Sequence, residues 1–221
     1  MHSPIRSLQI EVPVRPAFIR PLIPSSAKLP PKGSEWLHEP KWDGYRFQII
    51  KNGRDVRLYS RGRTDHSDQL PRMAEWFAHL PANSAILDGE LCLLHADGLP
   101  NFRELLIEMR KRQPDETDLM FLAFDLLHQD GVDLHGLPLS ERKRDLHRLC
   151  ARARIPFLRL VQTFPNGALL LERCEKFGFE GIVSKRLGSR YVSGPSRAWV
   201  KVKCAAWKAA NENRGELFEG K

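Results

Sequence analysis

The chain lacks the patterns of a metal knuckle, a disulfide scaffold or a membrane span. Its four cysteines, Cys92, Cys150, Cys174 and Cys204, are scattered through 221 residues and none forms a Cys-x-x-Cys pair. That excludes a zinc knuckle and a disulfide framework, and leaves reduced structural thiols as the expected state. The eight histidines include no His-Glu-x-x-His pattern. No apolar run is long enough to cross a bilayer and no signal-peptide core opens the sequence, so a soluble cytoplasmic protein with no membrane partner is expected. There is no internal repeat and no low-complexity tract beyond the N-terminal prolines. Also missing are Gly-x-x-x-x-Gly-Lys-Ser/Thr and Gly-x-Gly-x-x-Gly. Any phosphate would therefore be held by side chains and not by a glycine loop.

What is present is positive charge. A net charge of +8 and a pI near 9.5 favour polyanionic partners, nucleic acid or nucleotide first. Hydrophobic residues at 42% and charged residues at 28% are ordinary for a globular chain long enough to bury a core. Residues 1–34 carry Pro4, Pro13, Pro16, Pro21, Pro24, Pro30 and Pro31, which rule out a helix there. With Phe18, Ile19, Leu22 and Ile23 they are expected to form an extended arm lying on the body of the domain.

Beyond Trp36 the pattern turns to strands. Residues 45–50 and 54–60 alternate around Lys51-Asn52-Gly53, a strong hairpin signal. Ser60-Arg61-Gly62-Arg63 then puts two arginines on a turn. Residues 71–80 read as a helix with Met73, Trp76, Phe77 and Leu80 on one side. Asn101 can cap a helix through Arg112. Residues 119–127 read as a buried strand, and Ser140 starts a basic helix expected to be solvated. Asn166 starts another helix, stopped by Gly178. A helix over 204–211 closes the chain and then frays.

Four stretches carry chemistry. Glu39-Pro40-Lys41-Trp42-Asp43-Gly44-Tyr45-Arg46 places an amine, a carboxylate and a guanidinium close together. If it is extended, Lys41 and Asp43 share one face. By itself this is equally a covalent nucleophile or a solvated Lys–Asp pair. Asp88 and Glu90 interrupt an apolar strand over 85–94, where unpaired acids carry a desolvation cost. Glu180 and Lys185 bracket a short β-branched strand. In residues 197–203, Trp199, Lys201 and Lys203 take one face and Val200 and Val202 the other. Two lysines side by side make sense with an anion between them. A nucleophilic lysine must shed its proton, and nearby cations such as Lys201, Lys203, Arg46 and a divalent metal are expected to lower its pKa.

Lys41-x-Asp43-Gly44-x-Arg46 resembles motif I of the covalent nucleotidyltransferases: DNA ligases that use ATP, RNA ligases and mRNA capping enzymes. Asp88-Gly89-Glu90, Phe121-x-x-Phe124-Asp125, Glu180-Gly181-Ile182-Val183-Ser184-Lys185 and Trp199-Val200-Lys201-Val202-Lys203 resemble the later motifs in the family's order. Phe-Asp-Leu-Leu, Glu-Gly-Ile-Val-Ser-Lys and Ser189-x-Tyr191-x-x-Gly194 most resemble bacterial end-joining ligases. The resemblance implies an α+β, ATP-grasp-like nucleotidyltransferase domain over 35–203, with two antiparallel sheets flanked by helices around a nucleotide groove. It implies ATP and Mg2+ or Mn2+ as cofactors and nicked or broken double-stranded DNA as partner, the protein acting as a monomer in the bacterial cytosol or nucleoid.

Residue by residue, it implies that Lys41 attacks the α-phosphate to form lysyl-AMP. Glu39 reads adenine with Phe124 stacked on the base. Arg46, Arg61 and Glu90 address the ribose and a DNA phosphate. Lys201 and Lys203 grip the α-phosphate, Lys185 sits near the base or phosphates, and Glu180, with Asp43, takes the metal. The stretch 204–221 is too short for the oligonucleotide-binding barrel that usually follows. Full ligation is therefore expected to need a separate DNA-binding or end-joining protein. An RNA ligase, a capping-type transferase and a non-catalytic DNA-end-binding module remain the alternatives.

Overall fold

In a computed structural model that describes residues 15–212, the Asn52-Gly53 turn joins β3 (Tyr45–Asn52) to β4 (Asp55–Ser60), with Gly53 at φ +63°. β3 then pairs on its other edge with β5 (Ser84–Leu93), and β5 with β6 (Leu119–Gln129). The short β7 (Val132–Asp133) and β8 (Leu158–Leu160) flank β6 and complete a six-stranded sheet. A second sheet runs in the order β1 (Leu22–Ser26), β10 (Gly194–Lys203), β9 (Gly181–Arg186), β2 (Trp36–Lys41). Pairing is antiparallel throughout except at two places, β1 with β10 and β8 with β6. The proline-rich arm thus enters as a parallel edge strand. Pro24 sits at a register shift, where its missing donor is tolerated. The part of the arm in residues 1–14 and the tail after residue 212, expected to fray, lie outside the described residues.

The apolar faces decide how the layers stack. Leu22, Leu37 and Trp199 of the four-stranded sheet meet Ile50, Ile86 and Leu127 of the six-stranded sheet, joining the two across one core. The other face of the six-stranded sheet buries Phe47, Leu58, Leu87 and Phe121 under α1 (Pro71–Ala78) and α2 (Phe102–Glu108). Phe77 meets Phe121 edge-on at 5.6 Å. Trp76, expected on the apolar side of α1, is instead 38% exposed. Asn101 caps α2 by accepting from the Glu104 N–H, but the helix stops at Glu108, short of Arg112. Pro114 lies just ahead, and the Glu108 carboxylate is turned to the Asp115 N–H.

On the outer face of the four-stranded sheet, α4 (Gly167–Lys176) covers Ile182 and Val202 with Leu170 and Cys174. Asn166 caps it and Gly178 follows it at φ +77°, as the sequence suggests. The basic helix α3 (Leu139–Arg152) is not simply solvated. Leu139, Leu146 and Leu149 are buried, and Arg142 and Lys143 turn inward with them. α5 (Ala205–Ala210) follows β10 directly, with the Glu175 carboxylate accepting from the Ala205 and Ala206 N–H groups.

Candidate active site

The stretch Glu39–Arg46 does not run as one strand. Lys41 ends β2 in one sheet and Tyr45 begins β3 in the other, so residues 42–44 cross between the layers. The crossing is tight: a Cβ on Gly44 would lie 2.2 Å from the Leu91 carbonyl oxygen. Lys41 and Asp43 are therefore neighbours at a crossover, not side chains alternating along one strand. Both line a cleft of about 670 Å³ between the sheets, together with Glu39, Arg46, Arg61, Glu90, Phe124, Glu180, Lys185, Lys201 and Lys203. These are the residues to which the motifs assign nucleotide or metal contacts, whereas Asp88 of the acidic pair is fully buried and lies off the cavity.

Register explains the gathering on the first sheet. β9 lies between β2 and β10, and Gly181 is opposite Lys41 on one side and Lys203 on the other. Val183 is likewise opposite Glu39 and Lys201, and Lys185 opposite Leu37 and Trp199. Period-two alternation then puts Lys41, Glu39, Val183, Lys185, Trp199, Lys201 and Lys203 on the cleft side. Gly181 has φ +152°, and a Cβ there would sit 2.1 Å from the Val202 carbonyl oxygen. Only glycine lets the three strands close at this point.

Glu180, just before Gly181, receives Lys41 Nζ at 2.7 Å and Lys203 Nζ at 2.9 Å, one on each oxygen. Burial works to lower the Lys41 pKa, but Glu180, Glu90 and Asp43 together outweigh it and the net shift is upward. The expected cation cage thus does not dominate around Lys41, where the acids outweigh it. The effect falls on Lys201 instead, lowered by burial and then by Lys41 and Lys203. Burial would raise Glu180, yet its two lysines hold it below the usual carboxylate range. Burial pushes Glu90 up to about 7, helped by Glu180 and Asp43 and opposed by Lys41 and Arg46.

The cleft also has an aromatic corner. The Phe124 ring meets Trp199 edge-on at 5.9 Å. Lys185 Nζ lies 4.3 Å from the Phe124 ring centre and 4.0 Å from that of Trp199. Burial drops the Lys185 pKa to about 8, against the pull of Glu39. Glu39 Oε2 accepts Lys185 at 2.6 Å, while Oε1 meets Lys143 from α3.

Arg46 lines the cleft and is also held from within the protein. Its fork grips the buried Asp88 through Nε at 3.0 Å and NH2 at 2.7 Å, and also reaches the Leu22 carbonyl and the Tyr191 hydroxyl. Asp88, the puzzling acid of the apolar strand, is thus satisfied within the protein. Arg61 is exposed on the turn after β4 at the rim. Sequence reasoning missed Tyr191 as the third member of the Arg46–Asp88 set. It also missed Arg142 and Lys143, and Trp207, which faces Lys203 Nζ at 4.1 Å across the cleft mouth. Only the Ser-x-Tyr-x-x-Gly pattern hinted at any of these.

Asp43, Glu90 and Glu180 line the cavity, yet among the described residues no three His, Cys, Asp or Glu side chains gather closely enough to cage a metal. A hard divalent ion needs only one or two carboxylates when substrate phosphates supply the rest. The donor set fits that arrangement.

A family model described as the ATP dependent DNA ligase domain matches residues 25–203. The chain is 35% identical over 191 residues to the multifunctional non-homologous end joining protein LigD of Pseudomonas aeruginosa, covering 86% of this chain and 22% of that protein. It is 34% identical over 199 residues to a probable DNA ligase of Rhodococcus jostii, covering 89% and 39%. It therefore spans between about a fifth and two fifths of these relatives' lengths. Among solved structures, a mycobacterial DNA ligase D complexed with ATP and MES superposes with a TM-score of 0.71 at 31% identity, covering 83% of this chain and 59% of that one. The ligase domain of M. tuberculosis LigD gives a TM-score of 0.71 at 32% identity, covering 83% and 60%. With the motif order, the two-sheet cleft and these matches in agreement, the chain belongs to the ATP-dependent DNA ligase domain family.

Proposed function

We propose that this chain is the adenylation unit of an ATP-dependent DNA ligase, with Lys41 as its covalent nucleophile. One observation carries the reading. Lys41 and Lys203 converge on Glu180 at one end of a cleft whose other end is the Phe124–Trp199 corner. Such a cleft offers an aromatic corner for a base and cations for a phosphate chain.

The chemistry follows from the groups in place. Glu39 and Lys185 meet the edge of the adenine, and Phe124 and Val183 wall its faces. Glu90 meets the ribose, and Arg61 a phosphate at the rim. Arg46 acts mainly through the wall it builds with Asp88, since most of its donor fork is already engaged. Lys201 and Lys203 neutralise the α-phosphate oxygens. Lys41, partly open to solvent, gives up its proton to water, its Nζ lone pair attacks the α-phosphorus, and pyrophosphate leaves with the electrons of the broken P–O bond. A divalent ion at Glu180 and Asp43, bound together with the triphosphate, would supply charge neutralisation. The adenylyl group then passes from Lys41 to a DNA 5′-phosphate, and attack by a 3′-hydroxyl expels AMP and seals the strand.

The test is transfer. Protein carrying AMP on Lys41, freed of ATP and mixed with a nicked DNA duplex bearing a 5′-phosphate, is expected to yield adenylylated DNA and sealed product. Transfer only to RNA ends would replace the DNA reading, and no transfer to any end would remove it.

A further inference from the structure

α3 contributes no residue to the cleft lining, yet two adjacent side chains tie it to the base end of the site. Arg142 holds Asp125 with Nε–Oδ1 2.9 Å and NH2–Oδ2 2.8 Å, both side chains fully buried. Asp125 immediately follows Phe124, so this pair fixes the strand that presents the aromatic wall. Lys143 reaches Glu39 Oε1 while Lys185 takes Oε2. The three side chains are 10%, 3% and 2% exposed for Lys143, Glu39 and Lys185. A single lysine on a carboxylate leaves it free to rotate about its last torsion; two on opposite oxygens do not. Glu39 is therefore clamped from behind, and its orientation is set by a helix outside the pocket.

We propose that Lys143 is a positioning residue that fixes the Glu39 carboxylate as an acceptor, so that the pocket takes a 6-aminopurine over a 6-oxopurine. The inference rests on the adenylation reading and deepens it. A carboxylate accepts hydrogen bonds and cannot donate them. Adenine offers its 6-amino group to a fixed acceptor. Guanine presents a keto oxygen there, and two facing acceptors leave both unpaired, which is the basis of strong rejection. A carboxylate able to turn away would relax that rejection.

A second consequence separates this role from simple propping of the fold. Lys185 is faced by Glu39 on β2, Lys143 on α3 and Asp125 on β6, the last neutralised by Arg142. Removing the Lys143 charge takes away a cation that helps keep the Lys185 pKa near 8. Losing the Lys185 proton frees the other side of Glu39, so nucleotide affinity is expected to weaken through that pH, with the midpoint moving upward in Lys143→Met.

The experiment measures KM and kcat for self-adenylation, and nucleotide binding by tryptophan fluorescence, with ATP and GTP across pH 6–10. In Lys143→Met, KM for ATP is expected to rise about 10- to 100-fold, the span of one charged contact to a buried carboxylate, with kcat within about threefold. The preference for ATP over GTP narrows, and Lys143→Arg restores most of both. In a Glu39→Gln background the same substitution is expected to change KM less than about twofold, since its route is already cut. An unchanged KM and preference in Lys143→Met, or an equal loss with and without Glu39, overturns the proposal. Should Lys143→Met fail to fold by circular dichroism, Lys143→Gln carries the same comparison. A wild type that neither labels nor binds ATP sinks the adenylation reading itself, a result distinct from a change confined to the variant.

Discussion

Lys41 and Lys203 stand opposite the same residue, Gly181, on the two strands that flank it, and both close on the carboxylate of Glu180 beside it. Lys41 is thus held as an ammonium in an ion pair. To attack, Lys41 must lose both its proton and its partner. A change that draws Glu180 away would break the pair and lower the Lys41 pKa, by removing a negative charge that stabilises the ammonium.

Glu180→Gln should therefore separate amine basicity from catalysis. The upward pull on Lys41 weakens, so its labelling by an amine reagent, mapped by mass spectrometry against pH, shifts to lower pH. Self-adenylation nevertheless is expected to fall by about 100-fold or more, because the carboxylate that would hold a divalent ion beside the phosphates is gone. A variant that labels at lower pH and also adenylates as fast as wild type would remove Glu180 from the chemistry.

Gly181→Ala tests the geometry that brings the lysines together. The new methyl would meet the Val202 carbonyl, and the backbone there has φ +152°. A loss of about 2–4 kcal/mol in urea unfolding is expected, with self-adenylation reduced as β10 is pushed outward. Wild-type stability would mean that the strands close less tightly than described.

Arg142→Leu leaves Asp125 buried without its cation and is expected to cost about 3–5 kcal/mol. The double variant Asp125→Leu/Arg142→Leu should be less destabilised than the single one. Equal losses would show that the pair contributes through packing and not through charge.

Glu90 supplies a pH signature of folding. Its pKa is about 7 in the fold against 4.5 ordinarily. The native state then binds more protons than the unfolded chain between those values, so this group makes stability fall as pH rises from about 4.5 to about 7. Urea unfolding of wild type and Glu90→Gln at pH 5 and pH 8 should show the variant gaining about 1–2 kcal/mol relative to wild type at the higher pH. A pH-independent difference would place Glu90 in a more solvated setting.

Much of the site was legible because its residues sit on strands whose alternation is visible: Lys201 and Lys203 on one face of residues 197–203, and the hairpin at Asn52-Gly53. What alternation cannot show is which strand lies beside which. The sharing of Gly181 by Lys41 and Lys203 depends on β9 lying between two strands more than a hundred residues apart in the chain. The crossover at Gly44 was hidden for the same reason, since local spacing describes an extended segment equally well within one sheet or between two. Arg142 and Lys143 were read as solvated because long cationic side chains usually are. Their partners, Asp125 and Glu39, lie in other elements, and no local pattern announces a buried pair.

Covalent adenylation of Lys41 is read by incubation with α-labelled ATP and magnesium, followed by peptide mapping. Acid-labile label on the Lys41 peptide of wild type, and none on Lys41→Ala, is the predicted result. No label on wild type at high ATP, or label that persists in Lys41→Ala, would contradict it.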